Sequence, residues 1–525
     1  MEREIYLVRY RLGAILDRLH SGSEIDRTEA RLMIEDKLRP TIRTIHFRRA
    51  LKANYDRLKV LDPVEADEIF DEEVRRSILR WERFAKIERE AKEEVRYLLP
   101  FACVRQEAVG HGGFHTGAMG FYTPQFRWIY DCGAWRKKSA LSNRIQDFIK
   151  RCRADLRLPD VDALFLSHFD ADHVNGLEEL LEGSAGFPTT VKMVVAPYLS
   201  PREVVATIGR AVEAGRDSAD LIRAVADPAG YFGDKGIETL VLVRPDGPPP
   251  SSPDGPGRGP TLPTTYPPYG DRLALAFFNP DGKSIILDPP EEGKIHVMVA
   301  DPGSFFEVTS YGRALDWIFV PHAHEWRLNR EKIADECRRI LKLDPDAPGF
   351  NQALIEKLRT RVGLNDVKKL YCGMNSNGTS MSLYAGPRTS APGRVVYRKK
   401  SRSTGYAATR DVPGWLLTGD APLNRRDAFA QWKGSFEPVA SLTGHMMLPH
   451  HGAERNFNKS LISYAHAAKP FLTVDRDDYV ARKRPPQKVR AAIKRRLVPV
   501  TERKSLVEVS GPSEGISRID DVSRW

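Results

Sequence analysis

Two histidines and two aspartates fall within six consecutive positions, His168-Phe-Asp170-Ala-Asp172-His173, inside the stretch LFLSHFDADHVNGLEELLEG at residues 164–183. Ionisable groups at that density are costly to hold together unless something shares their charge. Imidazole nitrogen with carboxylate oxygen is a donor set that suits zinc, manganese or iron, and a mixed set can bridge two ions. The competing reading is an acidic helix N-cap with two incidental histidines. Which motifs accompany the hexamer decides between them.

The elements that must position these groups can be read from hydrophobic patterning. Residues 161–167, VDALFLS, predict a buried strand, so His168 stands where that strand leaves the sheet. Asp170 then projects from the loop, and Asp172 and His173 open a helix continued by Leu177, Leu180 and Leu181. Further strands are predicted at 126–133, 191–197, 294–301, 315–322, 381–386, 414–419, 471–475 and 505–510, with helical stretches at 201–225, 327–342, 352–361 and 486–496. Strands alternating with helices over residues 101–525 indicate α/β layers. Residues 1–99 read instead as an N-terminal helical domain. Ile5, Val8, Leu12, Ile15, Leu16 and Leu19 form one apolar stripe there, and Val74, Ile78, Trp81, Ala85, Ala91, Val95 and Leu98 form another. Residues 244–270 are dominated by Pro and Gly and predict a flexible surface insertion.

The chain has 525 residues, 41% of them hydrophobic and 29% charged, which fits a globular protein of more than one domain. No apolar run approaches the roughly 20 residues a membrane-spanning helix needs, and the first residues lack the pattern of a secretory signal. The expected compartment is therefore the cytoplasm, without a membrane partner. Five cysteines without CxxC spacing argue against a disulfide framework or a zinc ribbon, so a metal site must be built from His and carboxylates. The formal charge of +11 favours an acidic partner such as nucleic acid.

Four other motifs follow a recognisable order. YDCG sets Asp131 at the end of an early strand, NSNGTSMSLY (375–384) precedes a late one, WLLTGD ends that strand on Asp420, and LPHHGA carries His450 and His451. Together with the hexamer they resemble the metallo-β-lactamase fold hydrolases, usually HxHxDH, in the variant where Asp replaces the second His. LLTGD followed by LPHHG is most similar to the hydrolase domain of the competence DNA-uptake channel proteins and their soluble relatives. The resemblance covers roughly residues 101–510. It implies a four-layer αββα fold with insertions and two divalent metal ions, zinc or manganese. His168, Asp170, Asp172, His173, Asp420 and one or both of His450 and His451 would be the ligands, with Asp172, His173 and Asp420 central to catalysis. Asp131 would orient a ligand through a hydrogen bond.

There are departures from the pattern. Asp170 hardens one site relative to histidine, Ala453 stands where that branch carries Ser, and KRPP at 483–486 replaces its late HP. The middle ligand motif has no single assignment: His296, His322, His324, Asn375 and Asn377 are all open, and His324 also reads as a loop histidine with a satisfied hydrogen bond.

Two ions in such a site supply Lewis acidity and a nucleophile at neutral pH. The fold does not choose the substrate, so the basic segments must. Arg398, Lys399, Lys400 and Arg402 precede the Asp420 motif and Arg425 and Arg426 follow it. A tail segment adds Arg482, Lys483, Arg484, Lys488, Arg490, Lys494, Arg495 and Arg496. Cations beside a two-metal centre would hold a phosphodiester backbone. The leading expectation is a nuclease without sequence specificity, acting on DNA rather than RNA. The resemblance adds the expectation of a regulated effector role in bacterial antiphage defence, in which residues 1–99 would bind a regulatory protein or support a homo-oligomer. The alternatives are a small-molecule phosphodiesterase, esterase or lactonase, and a degenerate binding module without catalysis.

Overall fold

The computed structural model describes residues 100–512, apart from 121–124, 136–137, 155–159, 184–188, 246–272, 282–283, 286–294, 311–312, 326–328, 372–378, 390–393, 400–405, 410–411, 465–468, 474–484, 494–496, 502 and 504. The helical domain expected at 1–99 and nearly all of the insertion at 244–270 lie outside the described residues.

Two sheets make the body. The first runs, in chain order, through β1 (Phe101–Gln106), β2 (Phe114–Gly120), β3 (Phe126–Cys132), β4 (Val161–Phe165), β5 (Val191–Pro197), β6 (Thr239–Val243) and β9 (His296–Ala300), and is completed by β13 (Arg394–Lys399), β14 (Tyr406–Thr409) and β19 (Leu506–Pro512). Its spatial order is β14-β13-β19-β1-β2-β3-β4-β5-β6-β9, antiparallel from β14 to β3 and parallel from β3 to β9. The second holds β7 (Leu273–Phe278), β8 (Ser284–Ile285), β10 (Phe305–Ser310), β11 (Arg313–Ala323), β12 (Met381–Gly386), β15 (Gly414–Leu417), β16 (Thr443–Met447), β17 (Lys469–Thr473) and β18 (Val498–Val500). Its order is β18-β17-β16-β15-β12-β11-β10-β7-β8, with the four strands from β15 to β18 parallel.

Side-chain alternation explains why the sheets stack. Trp128, Tyr130, Ala163, Phe165, Met193 and Val195 of the first sheet meet Trp317, Phe319, Leu383, Trp415 and Leu417 of the second in one buried layer. Their neighbours one residue on point the other way. Ile129, Leu164 and Val194 pack under the helices α1 (Lys138–Ala154), α2 (Ala171–Val174), α3 (Leu177–Glu182) and α4 (Pro201–Glu213). On the second sheet, Ile318, Tyr384 and Leu416 pack under Trp432 and Phe436 of a helix at Arg426–Phe436. The described body is thus helices, sheet, sheet, helices.

Helix α4 is well founded locally. Ser200 and Glu203 form a reciprocal capping box, Pro201 opens the first turn, and Val204, Val205 and Ile208 face the core. Its last turn carries Arg210 towards the edge where the parallel strands end. The Tyr130 hydroxyl donates to the Met381 carbonyl at 2.8 Å, and the Met381 amide donates to the Ser167 carbonyl at 2.7 Å, stitching the two sheets together at that edge.

Candidate metal centre

The carboxyl ends of β3, β4, β15, β16 and β17 converge, which is where open α/β sheets expose their functional groups. Asp131 sits near the end of β3 with φ of 59°, and its carboxylate accepts from the Ser167 amide at 2.6 Å and the Ser167 hydroxyl at 2.7 Å. That clamp fixes the turn leaving β4, so His168 emerges in a set direction. Asp170 caps α2 by its backbone carbonyl, which accepts from His173 at 2.8 Å, and the helix's first turn presents Asp172 and His173. Gly419 follows β15 with φ of +51°, where a side chain would meet Ser380, Ser167 and Tyr130. Asp420 comes next, its amide donating to Ser380 Oγ at 3.0 Å. After β16, His450 and His451 both take left-handed backbone, φ 50° and 52°. Strain of that kind in non-glycine residues persists only where the surroundings impose it.

Two groups of ligating atoms result, each with its atoms within 4.8 Å of one another. One is His168, His173 and Asp420, all buried; the other is His111, Asp172 and His451. His173 Nε2 lies 3.7 Å from Asp420 Oδ1 and 3.9 Å from Asp172 Oδ2, so it stands between the groups. His168 Nε2 is 3.7 Å from Asp420 Oδ2, and His451 Nε2 is 3.3 Å from Asp172 Oδ2.

Three of the histidines are oriented alike. In each, Nδ1 is engaged by the protein: Ser167 Oγ at 2.8 Å for His168, Asp131 Oδ2 at 2.7 Å for His173, and Thr473 Oγ1 at 2.6 Å for His451. Each Nε2 is thereby turned inward. His168 Nε2, His173 Nε2 and Asp420 Oδ1 are buried and have no hydrogen-bond partner. Buried polar atoms are almost always satisfied, so three orphans facing one point fit a cation there, and outer partners on Nδ1 are the usual support of a metal-bound imidazole. The residues present therefore fit divalent metal ions.

Electrostatics divide the ligands of the metal-free site. Burial and the adjacent His173 hold the His168 imidazole down at about 3, so it is neutral and able to ligate. Burial likewise lowers His451. Burial opposes charge on His173 too, but Asp131, with Asp172 and Asp420, lifts it to about 10. Burial works against the carboxylates of Asp172 and Asp420, yet His451 and His173 hold the first below the usual range, and His450 and His168 the second.

The positions singled out in the sequence divide as follows. His168, Asp172, His173, Asp420 and His451 lie in the two groups, and Asp131 holds His173. His450 belongs to neither group: its Nδ1 contacts Asp420 Oδ2, and its Nε2 is 3.3 Å from Arg455. Asp170 lies 3.4 Å from His168 Nε2 but belongs to neither group and pairs with Arg210. Sequence reasoning missed His111, whose ring lies 3.9 Å from that of His451. Its only signal was the Gly-rich setting VGHGG, and the glycines are needed for close approach. A side chain on Gly113 would lie 2.8 Å from Asp131 Cβ and 3.0 Å from His173 Nδ1.

Of the alternatives for a middle ligand, His322 on β11 and His324 just beyond its end bond Ser435 and Ser382 at 3.0 and 3.2 Å. His296 opens β9, three strands from β4, and Asn375 and Asn377 lie outside the described residues. Among the basic positions, Arg425 pairs with Asp427 at 2.9 Å and Arg426 begins the helix at Arg426–Phe436. Arg398 and Lys399 are on β13, five strands from β4, or roughly 24 Å at the usual strand spacing. Lys400, Arg402 and Arg484 lie outside the described residues, as do Arg482, Lys483 and Lys494 to Arg496.

No family model matches this chain, and no curated protein matches it in sequence. Among solved structures it is similar to the metallo-β-lactamase fold protein YhfI from Bacillus subtilis. That match covers 78% of this chain and 99% of the other, at 9% identity and a TM-score of 0.27. Likeness at that level carries no inference about residues or reaction. The chemistry of the site stands on its own side chains.

Proposed function

We propose that this chain is a metal-dependent hydrolase of the metallo-β-lactamase kind that cleaves phosphodiesters, acting as a nuclease without sequence specificity. The observation that carries the reading is the convergence of three oriented imidazole Nε2 atoms on two buried carboxylates, with His168 Nε2, His173 Nε2 and Asp420 Oδ1 unpartnered. Zinc or manganese ions bound there supply Lewis acidity and a nucleophile at neutral pH. The chain's own part is to hold the ligands in place. Asp131 fixes the ring of His173, Ser167 that of His168, and Thr473 that of His451.

An anionic substrate is supported by cations at the rim. Arg210 contacts Asp170, which lies beside His168, and Arg455 reaches His450, which contacts Asp420. Guanidinium suits phosphate oxygens by its planar fork of donors. The distance of β13 from the site favours a second reading, a small-molecule phosphodiesterase or esterase, because Arg398 and Lys399 then contribute nothing.

One assay separates these. Supercoiled plasmid, linear DNA, RNA and a small chromogenic phosphodiester are incubated with purified protein in manganese, zinc, magnesium or chelator, beside an Asp172→Ala, His173→Ala double variant. Metal-dependent cutting of polynucleotide, lost in the variant, is the expected result. Turnover of the small ester alone would sink the nuclease reading and leave the second.

A further inference from the structure

Trp135 is an exception among the described tryptophans. Trp128, Trp317, Trp415 and Trp432 are fully buried, whereas Trp135 is 43% exposed. A single exposed apolar residue needs no explanation by itself. The surroundings of this one do. Its amide donates to the carbonyl of His111 at 2.6 Å, so its backbone is tied to a residue of the candidate metal centre. The preceding residue is fixed from the other direction: the Ala134 amide donates to Asn175 Oδ1 at 3.0 Å and its carbonyl accepts from Asn175 Nδ2 at 2.8 Å, at the end of α2. The Trp135 backbone is therefore pinned to both elements that carry Asp172 and His111. Its ring centroid lies 6.0 Å from that of His111, and the guanidinium carbon of Arg216 sits over it at 3.7 Å.

Arg216 lies three residues past the end of α4 and six beyond Arg210. The last turn of α4 thus brings Arg210 to Asp170, and the turn that follows the helix brings Arg216 to Trp135. An aromatic plane backed by a guanidinium, with further cations along the same line, is the composition of a surface that takes a single strand, the bases stacking and the phosphates finding the charges.

We propose that Trp135, backed by Arg216, is a stacking subsite for an unpaired base of a nucleic-acid strand whose phosphate lies at the candidate metal centre beside Arg210. This rests on the nuclease reading and narrows its substrate to single strands, frayed ends or gaps. A base inside a duplex is already stacked on its neighbours and gains little from the indole.

The test measures binding by the full chain in chelator, so that no cutting intervenes, with fluorescence anisotropy of three labelled probes: a thymidine oligonucleotide, an abasic oligonucleotide of equal length and charge, and a duplex. The wild type should prefer the thymidine strand to both others. Trp135→Ala should weaken thymidine binding roughly five- to a hundredfold, leave abasic binding unchanged, and be largely rescued by Trp135→Phe. Equal binding of thymidine strand by Trp135→Ala and wild type, or no preference of the wild type for thymidine over abasic strand, overturns the subsite. Cutting of polynucleotide that persists alongside either result leaves the nuclease reading standing. Binding and cutting of none of the polynucleotides removes both. Unchanged circular dichroism of Trp135→Ala separates a lost subsite from a lost fold.

Discussion

Three histidines of the candidate metal centre are each held through Nδ1 by a different partner, and that gives individual substitutions distinct expected effects. Asp131 fixes His173 without belonging to either ligand group, so Asp131→Ala should reduce metal affinity about 10- to 100-fold, the usual cost of losing an outer partner, while Asp131→Asn keeps an acceptor and loses less. Competition against a chromophoric chelator reads this directly, and unchanged affinity in Asp131→Ala would remove its orienting role. The adjacent histidines should behave unequally. His451→Ala should lose bound metal by elemental analysis, whereas His450→Ala should retain most of it, because only His451 Nε2 faces Asp172. Equal losses would contradict that assignment. At this scale the hexamer was legible because four ligating residues adjoin in sequence. His111 was not, since it is 57 positions before His168 in a loop whose glycines advertise a turn rather than a ligand. Arg210 was not either, being one of 81 lysines and arginines until the direction of α4 is known.

Elements convert these side chains into a site, and the loop between β1 and β2 shows how little room they leave. The Gly113 amide donates to the Asp172 carbonyl at 3.0 Å, and its own carbonyl accepts from Gly133 at 2.7 Å. A methyl group at Gly113 would fall against Asp131 and His173 together, the pair that orients one ligand by the other. Gly113→Ala should therefore lower hydrolytic activity at least tenfold and weaken metal binding, with a shift in melting temperature of only a few degrees, since the loop lies at the edge of the core rather than within it. Activity within twofold of wild type would show that the loop can retreat without moving His173. The predicted strands that coincide with observed ones, such as β4, β5, β12 and β15, are apolar runs that end in a polar motif. Strands β1 and β2 went unpredicted for a physical reason. FACVRQ and FHTGAMG are buried on nearly every residue, so they show neither alternation nor a sustained apolar run, and Gly117 is required where β2 lies against the Trp128 ring. The predicted helix at 201–225 is two helices, Pro201–Glu213 and Ala219–Ala226, parted at Gly215, whose φ of +65° ends the first.

At the scale of the whole molecule, two stacked sheets bury titratable groups outside the candidate metal centre as well as within it. His115 on β2 lies beside Trp415 on β15, with ring centroids 5.0 Å apart, and neither of its ring nitrogens has a hydrogen-bond partner. Burial, with His445 nearby, pushes its pKa down to about 3, and burial alone takes His322 to about 4. An unfolded histidine titrates near 6.5, so below that value the unfolded chain binds protons that the folded chain refuses. Stability from these two groups is complete above pH 6.5, declines as pH falls, and is lost by about pH 3 to 4, at up to about 1.4 kcal/mol for each group and each pH unit. His173 has the opposite sign. Raised to about 10, it stabilises the metal-free fold fully below pH 6.5 and loses that contribution as pH climbs towards 10. Metal-free protein should accordingly be most stable near pH 6.5, with separate causes on its acid and alkaline flanks. His115→Phe isolates the acid flank, because a phenyl ring fills the same space and gives up no hydrogen bond. Urea unfolding in chelator should give a smaller difference between pH 7 and pH 4.5 for this variant than for wild type. An identical difference would mean that His115 accepts its proton in the folded state, which would require water to reach the layer between the sheets.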